Sequence, residues 1–302
     1  MAEEIALANL CNDIEAIEIA IRKPGPFWFN DLGPILAKPR WSKLSAGYGI
    51  EESNYGTNRL LEGNPFADRK IIGHLQRPIV DDRPQIVVES LGPEITRRYR
   101  DSGLDFYPPN VLGSSFLSSL NSAIRLISNV RGAAVAVSSV LSVLHILKPE
   151  FLEYDVSYSE PSLPFSIFIG ISLDEQINSD LRIAENILHE CMHLQLTLIE
   201  DQLLLVEDSE KLHPSPWKGT LRPTRGVLHA LYVFRVIQDF FCDLNASVEL
   251  SESERSHIVQ RLREIDLEVL QMGDLSSSPD LTQIGKVLVQ RLEIGNRGQD
   301  RR

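Results

Sequence analysis

A histidine, a glutamate and a second histidine stand together in the run His189-Glu190-Cys191-Met192-His193. In a helix each residue advances about 100°, so positions four apart lie on one face, one turn from each other. His189 and His193 then present two imidazoles to a single metal ion. Glu190 projects off that line, close enough to orient or deprotonate an oxygen species held by the metal. The flanking residues Ile187, Leu188, Leu194, Leu196 and Leu198 are apolar. Burying polar side chains among them is costly unless something coordinates or hydrogen-bonds them. With seven histidines in 302 residues, chance would place an HExxH in on the order of one such chain in a hundred.

A third ligand has to come from elsewhere in the chain. The pattern with glycine at 196 and histidine at 199 fails, because Leu196 and Ile199 occupy those places. Glu200, Asp201, Glu207 and Glu210 are acids downstream, none of them in a convincing apolar helix, and His213 falls in a polar loop as a solvated side chain. His229 differs. It interrupts the apolar run GVLHALYVFRVIQDFF, where an imidazole is unusual, and it is the candidate third ligand. Just before it, Arg222 and Arg225 form a pair suited to forking onto a carboxylate. Trp217 fits a pocket wall or plain packing.

The elements that must position these groups follow from periodicity. Residues 2–22 suit a helix, and residues 23–108 are loop-rich, with recurrent proline and glycine and one short strand at 85–89. Residues 111–147 suit two helices broken near Arg131-Gly132. Two β-rich runs, YDVSY and FSIFIGIS, fall between 151 and 172. A long helix over 176–205 carries HECMH, a polar connection follows, and helices over 225–244, 252–272 and 280–293 close the chain. The class is mainly α with a small β-sheet (α+β), with HExxH on a long central helix and a zincin-like strand-then-helix arrangement around it. Residues 1–110 form a loop-rich N-terminal region, a lobe of the same domain or a wrap around it. Residues 111–295 form a helical metal-binding catalytic core, and 296–302 a disordered tail.

Composition narrows the partners. Lysine and arginine number 30 against 42 acids, for a formal charge of -12, which opposes nucleic-acid binding because phosphate neutralisation needs a basic surplus. The start of the chain is acidic where an export signal is basic, and the apolar run 132–147 is too short and too polar for a membrane span. Three cysteines, Cys11, Cys191 and Cys242, fit reduced thiols in a cytoplasmic setting.

Three blocks in order, PFSIFIGIS, RIAENILHECMHLQLTLIED and SPWKGTLRPTRGVLHALYVFRV, resemble the HExxH-motif peptide-modification proteins. These are regarded as iron(II)- and 2-oxoglutarate-dependent peptide β-hydroxylases of ribosomal peptide biosynthesis. The resemblance covers roughly residues 160 to 245, with Lys218 standing where many relatives carry arginine. It implies iron on His189 and His193, His229 as third ligand, and Arg222 or Arg225 on the distal carboxylate of 2-oxoglutarate. The substrates are then a precursor peptide and dioxygen. HExxH alone would equally serve a zinc metallopeptidase with Glu190 as general base. A peptide-binding scaffold with a vestigial site is the third possibility.

Overall fold

The computed structural model describes residues 2–48, 70–79, 83–101, 103–149, 157–159, 165–172, 179–207 and 211–295. In chain order the helices are α1 (Ala2–Arg22), α2 (Gly33–Tyr48), α3 (Pro93–Asp101), α4 (Ser114–Ser128), α5 (Arg131–Val140), α6 (Asp180–Glu200), α7 (Thr224–Ser247), α8 (Glu252–Met272) and α9 (Gln283–Ile294). The strands are β1 (Lys70–Leu75), β2 (Ile86–Ser90), β3 (Asp105–Phe106), β4 (Val143–Lys148), β5 (Ser157–Ser159), β6 (Ser166–Gly170), β7 (Leu212–Ser215) and β8 (Thr220–Pro223). The protein is thus mainly α with a small mixed sheet, the class its sequence pattern calls for. Among the described residues no helix is long and apolar enough to cross a membrane.

The chain forms two compact units, one of residues 1–36 with 195–302, the other of 37–194. Their division falls inside α6. The change of composition near residue 110 lies within the second unit.

In the second unit the sheet runs β1-β2-β4-β6-β5. β2, β4 and β6 are parallel neighbours, and β1 and β5 close the edges antiparallel. β3 pairs with the end of β4, at Leu147 and Lys148, beyond the point where β2 stops. The β4 segment Val143–Leu147 is buried throughout, as a strand covered on both faces must be. This corrects the second of the two helices expected over 111–147. α5 ends at Val140, and the chain continues as strand, because a continuous apolar run satisfies a buried strand as well as a buried helix. α2, β1 and α3 likewise give regular structure to a region that reads as loops.

In the first unit, α7 is the centre. Val227, Leu228, Leu231, Tyr232, Val236, Phe240 and Leu244 are buried along it. α8 begins with a capping box in which Ser251 and Glu254 satisfy each other's backbone donors. Arg235, 1% exposed, turns its guanidinium onto the carbonyls of Leu292 (2.7 Å) and Glu293 (3.1 Å), the cationic cap that the end of α9 favours. Buried Tyr232 donates to the carbonyl of Phe27 (3.0 Å) and contacts Gln195 Oε1, while Gln195 Nε2 donates to the carbonyl of Trp28 (2.8 Å). These bonds tie α7, the last turns of α6 and the chain after α1 together. The polar connection 207–223 contains the hairpin β7–β8, in register from Leu212↔Pro223 to Ser215↔Thr220. Its closing turn is made possible by Gly219 at φ 63°. The tail 296–302 lies outside the described residues, as do most of YDVSY and the first turn expected for the long helix.

Candidate metal centre

The sequence places HECMH mid-helix, and α6 carries it there. Nε2 of His189 lies 3.2 Å from Nε2 of His193, with ring centroids 4.8 Å apart and planes inclined at 66°. Both imidazoles are partly exposed, while Glu190, Cys191 and Met192 are buried. Glu190 Oε1 stands 3.8 Å from His189 Nε2. The donor set can be tested against a metal directly. Nitrogens 3.2 Å apart, each roughly 2.1 Å from one ion, subtend about 100° at it. That angle suits a tetrahedral or an octahedral ion. Two positions of a metal therefore fit. Among the described residues no group of three histidine, cysteine, aspartate or glutamate side chains is assembled to hold one.

His229 sits in the first unit, in the second turn of α7, and its Nε2 is 2.9 Å from Glu200 Oε2. The same oxygen accepts from Arg225 Nε at 2.9 Å and lies 2.7 Å from Arg225 Nη2. Arg225 and His229 are four apart on α7, so one helix face delivers both to the carboxylate. Burial would raise the Glu200 carboxyl, but the hydrogen bond and charge of His229, and then those of Arg225, outweigh it and hold the group below its ordinary value. Glu200 is thus an anion at neutral pH, clamped by the two residues singled out for metal and cosubstrate. Its weight was not visible from its neighbours in sequence. One signal was available: positions 189, 193 and 200 of a single helix fall within about 40° of one another.

Arg222 and Trp217 are placed by the hairpin. The Arg222 guanidinium lies over Gly226, where an added Cβ would come within 3.3 Å of Arg222 Cζ. Trp217, in the 3₁₀ turn Pro216–Lys218, stacks on Phe234 at 5.2 Å and 10°. Of the two roles open to it, packing against α7 is the one the geometry displays. Of the three cysteines, Cys191 is buried and Cys11 and Cys242 are exposed.

His213 is not the solvated side chain its loop suggests. It is on β7, 7% exposed, with Nε2 3.1 Å from Ser278 Oγ. Thr224 Oγ1 continues the chain of bonds, 3.2 Å from Ser278 Oγ and donating to Asp280 Oδ2 at 2.8 Å. Burial pushes the His213 imidazole below its ordinary value, Lys211 adds to this, and Asp280 opposes it. The fold therefore prefers the neutral ring. As pH falls below about 6.5 the unfolded chain takes up a proton that the folded chain resists, so stability declines with acidity in that window and is complete above it. Urea melts at pH 7.5 and 5.5 should show a loss for the natural chain and a smaller loss for His213→Gln. Equal losses would remove His213 as the cause.

A mainly α chain with a small mixed sheet, displaying two imidazoles on one helix face, is what fold and site together define. No protein-family model matches the chain, and no curated protein matches it.

Proposed function

We propose that this chain is an iron(II)- and 2-oxoglutarate-dependent hydroxylase of a peptide side chain, with His189 and His193 holding the metal. The observation that carries the metal is the approach of the two Nε2 atoms to 3.2 Å on α6. The choice of reaction rests on the three ordered sequence blocks around HECMH and GVLH. Iron with 2-oxoglutarate and dioxygen supplies the oxidising power that turns C–H into C–OH. The chain's own contribution is to present two imidazoles, to keep the Glu190 carboxyl 3.8 Å from the first of them, and to line the helix with buried Cys191, Met192 and Leu188. The resemblance assigns the distal carboxylate of the cosubstrate to Arg222 or Arg225, and Arg225 already donates to Glu200.

The test is anaerobic addition of iron(II) and 2-oxoglutarate to metal-free protein. The expected result is a visible metal-to-ligand charge-transfer band that requires both additions. No band, with zinc bound tightly instead, overturns the proposal.

One observation favours a second reading, a zinc metallopeptidase. Glu190 is 3% exposed and adjoins the pair, as a general base for zinc-bound water must. Glu190→Gln separates the two. A peptidase would lose cleavage by about a hundredfold or more, the size of a general-base contribution. In the hydroxylase, decarboxylation of 2-oxoglutarate should stay within about tenfold of the natural rate, since Glu190 handles no proton of that step.

A further inference from the structure

The hairpin β7–β8, the head of α7 and the connection between α8 and α9 meet in one buried row of side chains. His213 comes from β7, Thr224 from the first turn of α7, and Ser278 and Asp280 from the connection. Ser278 and Thr224 are fully buried. The row runs 3.1 Å from His213 Nε2 to Ser278 Oγ, 3.2 Å on to Thr224 Oγ1, and 2.8 Å on to Asp280 Oδ2.

Counting protons gives this row a direction. A hydroxyl has one proton to donate. Thr224 donates its own to Asp280, so Ser278 is the donor in the bond between the two hydroxyls. Ser278 can then only accept from the ring, and His213 carries its proton on Nε2. The ring's tautomer is thus set by the far end of the row. Two residues along the same buried face of β7, Ser215 Oγ has no hydrogen-bond partner among the described residues. His213 is therefore the polar tie of that face.

Burial is the largest influence on the ring's charge, Lys211 on the same strand acts with it, and Asp280 acts against both. The other charged groups nearby are engaged elsewhere. Arg222, opposite His213 across the ladder, lays its guanidinium over Gly226. Arg225 of α7 is held by Glu200, and Arg261 of α8 pairs with Glu264 and Glu268. A hairpin that lifts off its neighbours gives the ring to water, where it takes up a proton more readily than in place. Acid therefore favours the lifted state.

We propose that His213, Ser278, Thr224 and Asp280 form a latch that holds β7–β8 shut at neutral pH and releases it, ahead of the rest of the fold, when His213 is protonated. What the latch releases is the strand carrying Arg222 and the 3₁₀ turn carrying Trp217. It stands independently of the metal reading, and neither depends on the other's test.

The test is amide hydrogen exchange of the full chain at pH 7.5 and 5.5, corrected for the intrinsic effect of pH, with nitrogen-15 spectra of the ring. One proton taken up near pH 6.5 raises an opening equilibrium by at most about tenfold between those values. Opening of the hairpin amides should rise by roughly three- to tenfold at the lower pH, while that of central α7 and of α9 changes by less than about twofold. The spectra at pH 7.5 should place the proton on Nε2. His213→Gln keeps an N–H donor that does not titrate, and should bring the hairpin's ratio to about one. If that variant does not fold, Ser278→Ala takes its place and should raise hairpin opening at pH 7.5 by about threefold or more. A proton on Nδ1, a hairpin ratio near one in the natural chain, or a rise shared equally by α7 and α9 each overturn the proposal. So does an unchanged ratio in His213→Gln or, where that variant does not fold, unchanged opening in Ser278→Ala.

Discussion

Replacing His189 or His193 with alanine should weaken iron(II) binding by more than about a hundredfold, because removing even an outer partner of a metal ligand costs ten- to a hundredfold. Decarboxylation of 2-oxoglutarate should disappear with the metal. The double variant should be little worse than either single one, since one imidazole alone no longer makes the site and such losses are not additive. Folding provides a readout independent of turnover. Both rings are partly exposed on α6, so alanine removes little packing and gains slightly in helix propensity. The metal-free variants should therefore melt close to the natural chain. Metal at a hundred times its Kd stabilises the natural chain by about 2.7 kcal/mol, which corresponds to a rise in Tm of roughly 5–10 °C. That rise should vanish in both variants. A metal-induced rise retained in His189→Ala would sink the assignment whatever the activity.

The largest effect on stability should come from Gly285→Ala. Gly285 lies in the first turn of α9, where a Cβ would stand 2.0 Å from the carbonyl oxygen of Leu205 and 3.0 Å from its carbon. That carbonyl cannot move freely, for it accepts from the Thr282 backbone at 3.1 Å and from Thr282 Oγ1 at 3.2 Å. Thr282 is in turn the N-cap of the helix, accepting from the Gly285 amide. Alanine gains up to about 1 kcal/mol of helix propensity over glycine. Overpacking against fixed backbone costs about 3 kcal/mol or more, so the clash wins. A fall in Tm of roughly 6–12 °C is expected. Gly226→Ala in α7 is the matched control, because its Cβ would meet only the Arg222 guanidinium, at 3.3 Å, the far end of a flexible side chain. That variant should melt within a few degrees of the natural chain. If Gly285→Ala does the same, α9 and Leu205 are not packed as described.

What could be read without coordinates was local. HECMH lies within one helix, and the fixed turn and rise of that helix bring His189 and His193 to the same face with no help from the rest of the chain. The four-residue spacing of Arg225 and His229 works the same way on α7. The periods of α1, α7, α8 and α9 were legible because each helix repeats its apolar face over three or more turns. Failures came where the deciding partner is far away. The segment Val143–Leu147 reads as helix in the sequence, because a strand buried on both faces lacks alternation. Its hydrogen bonds to β2 and β6 are invisible in its own residues. The Pro214 and Pro216 connection hides the hairpin β7–β8, whose prolines sit at the edge and the turn, where no ladder donor is needed.

The residues alone therefore determined which side chains can act together along a single helix, since the geometry there is set by the backbone repeat. Only the tertiary structure decided what those side chains meet. Glu200 and His229 are 29 residues apart, and no local pattern announces that α7 turns its Arg225–His229 face to the last residue of α6. The same holds for Glu89 and His145, 56 residues apart on neighbouring strands. Pairings of that range follow from the packing of whole elements, where burial and hydrogen bonding across distant segments outweigh anything encoded in a window of sequence.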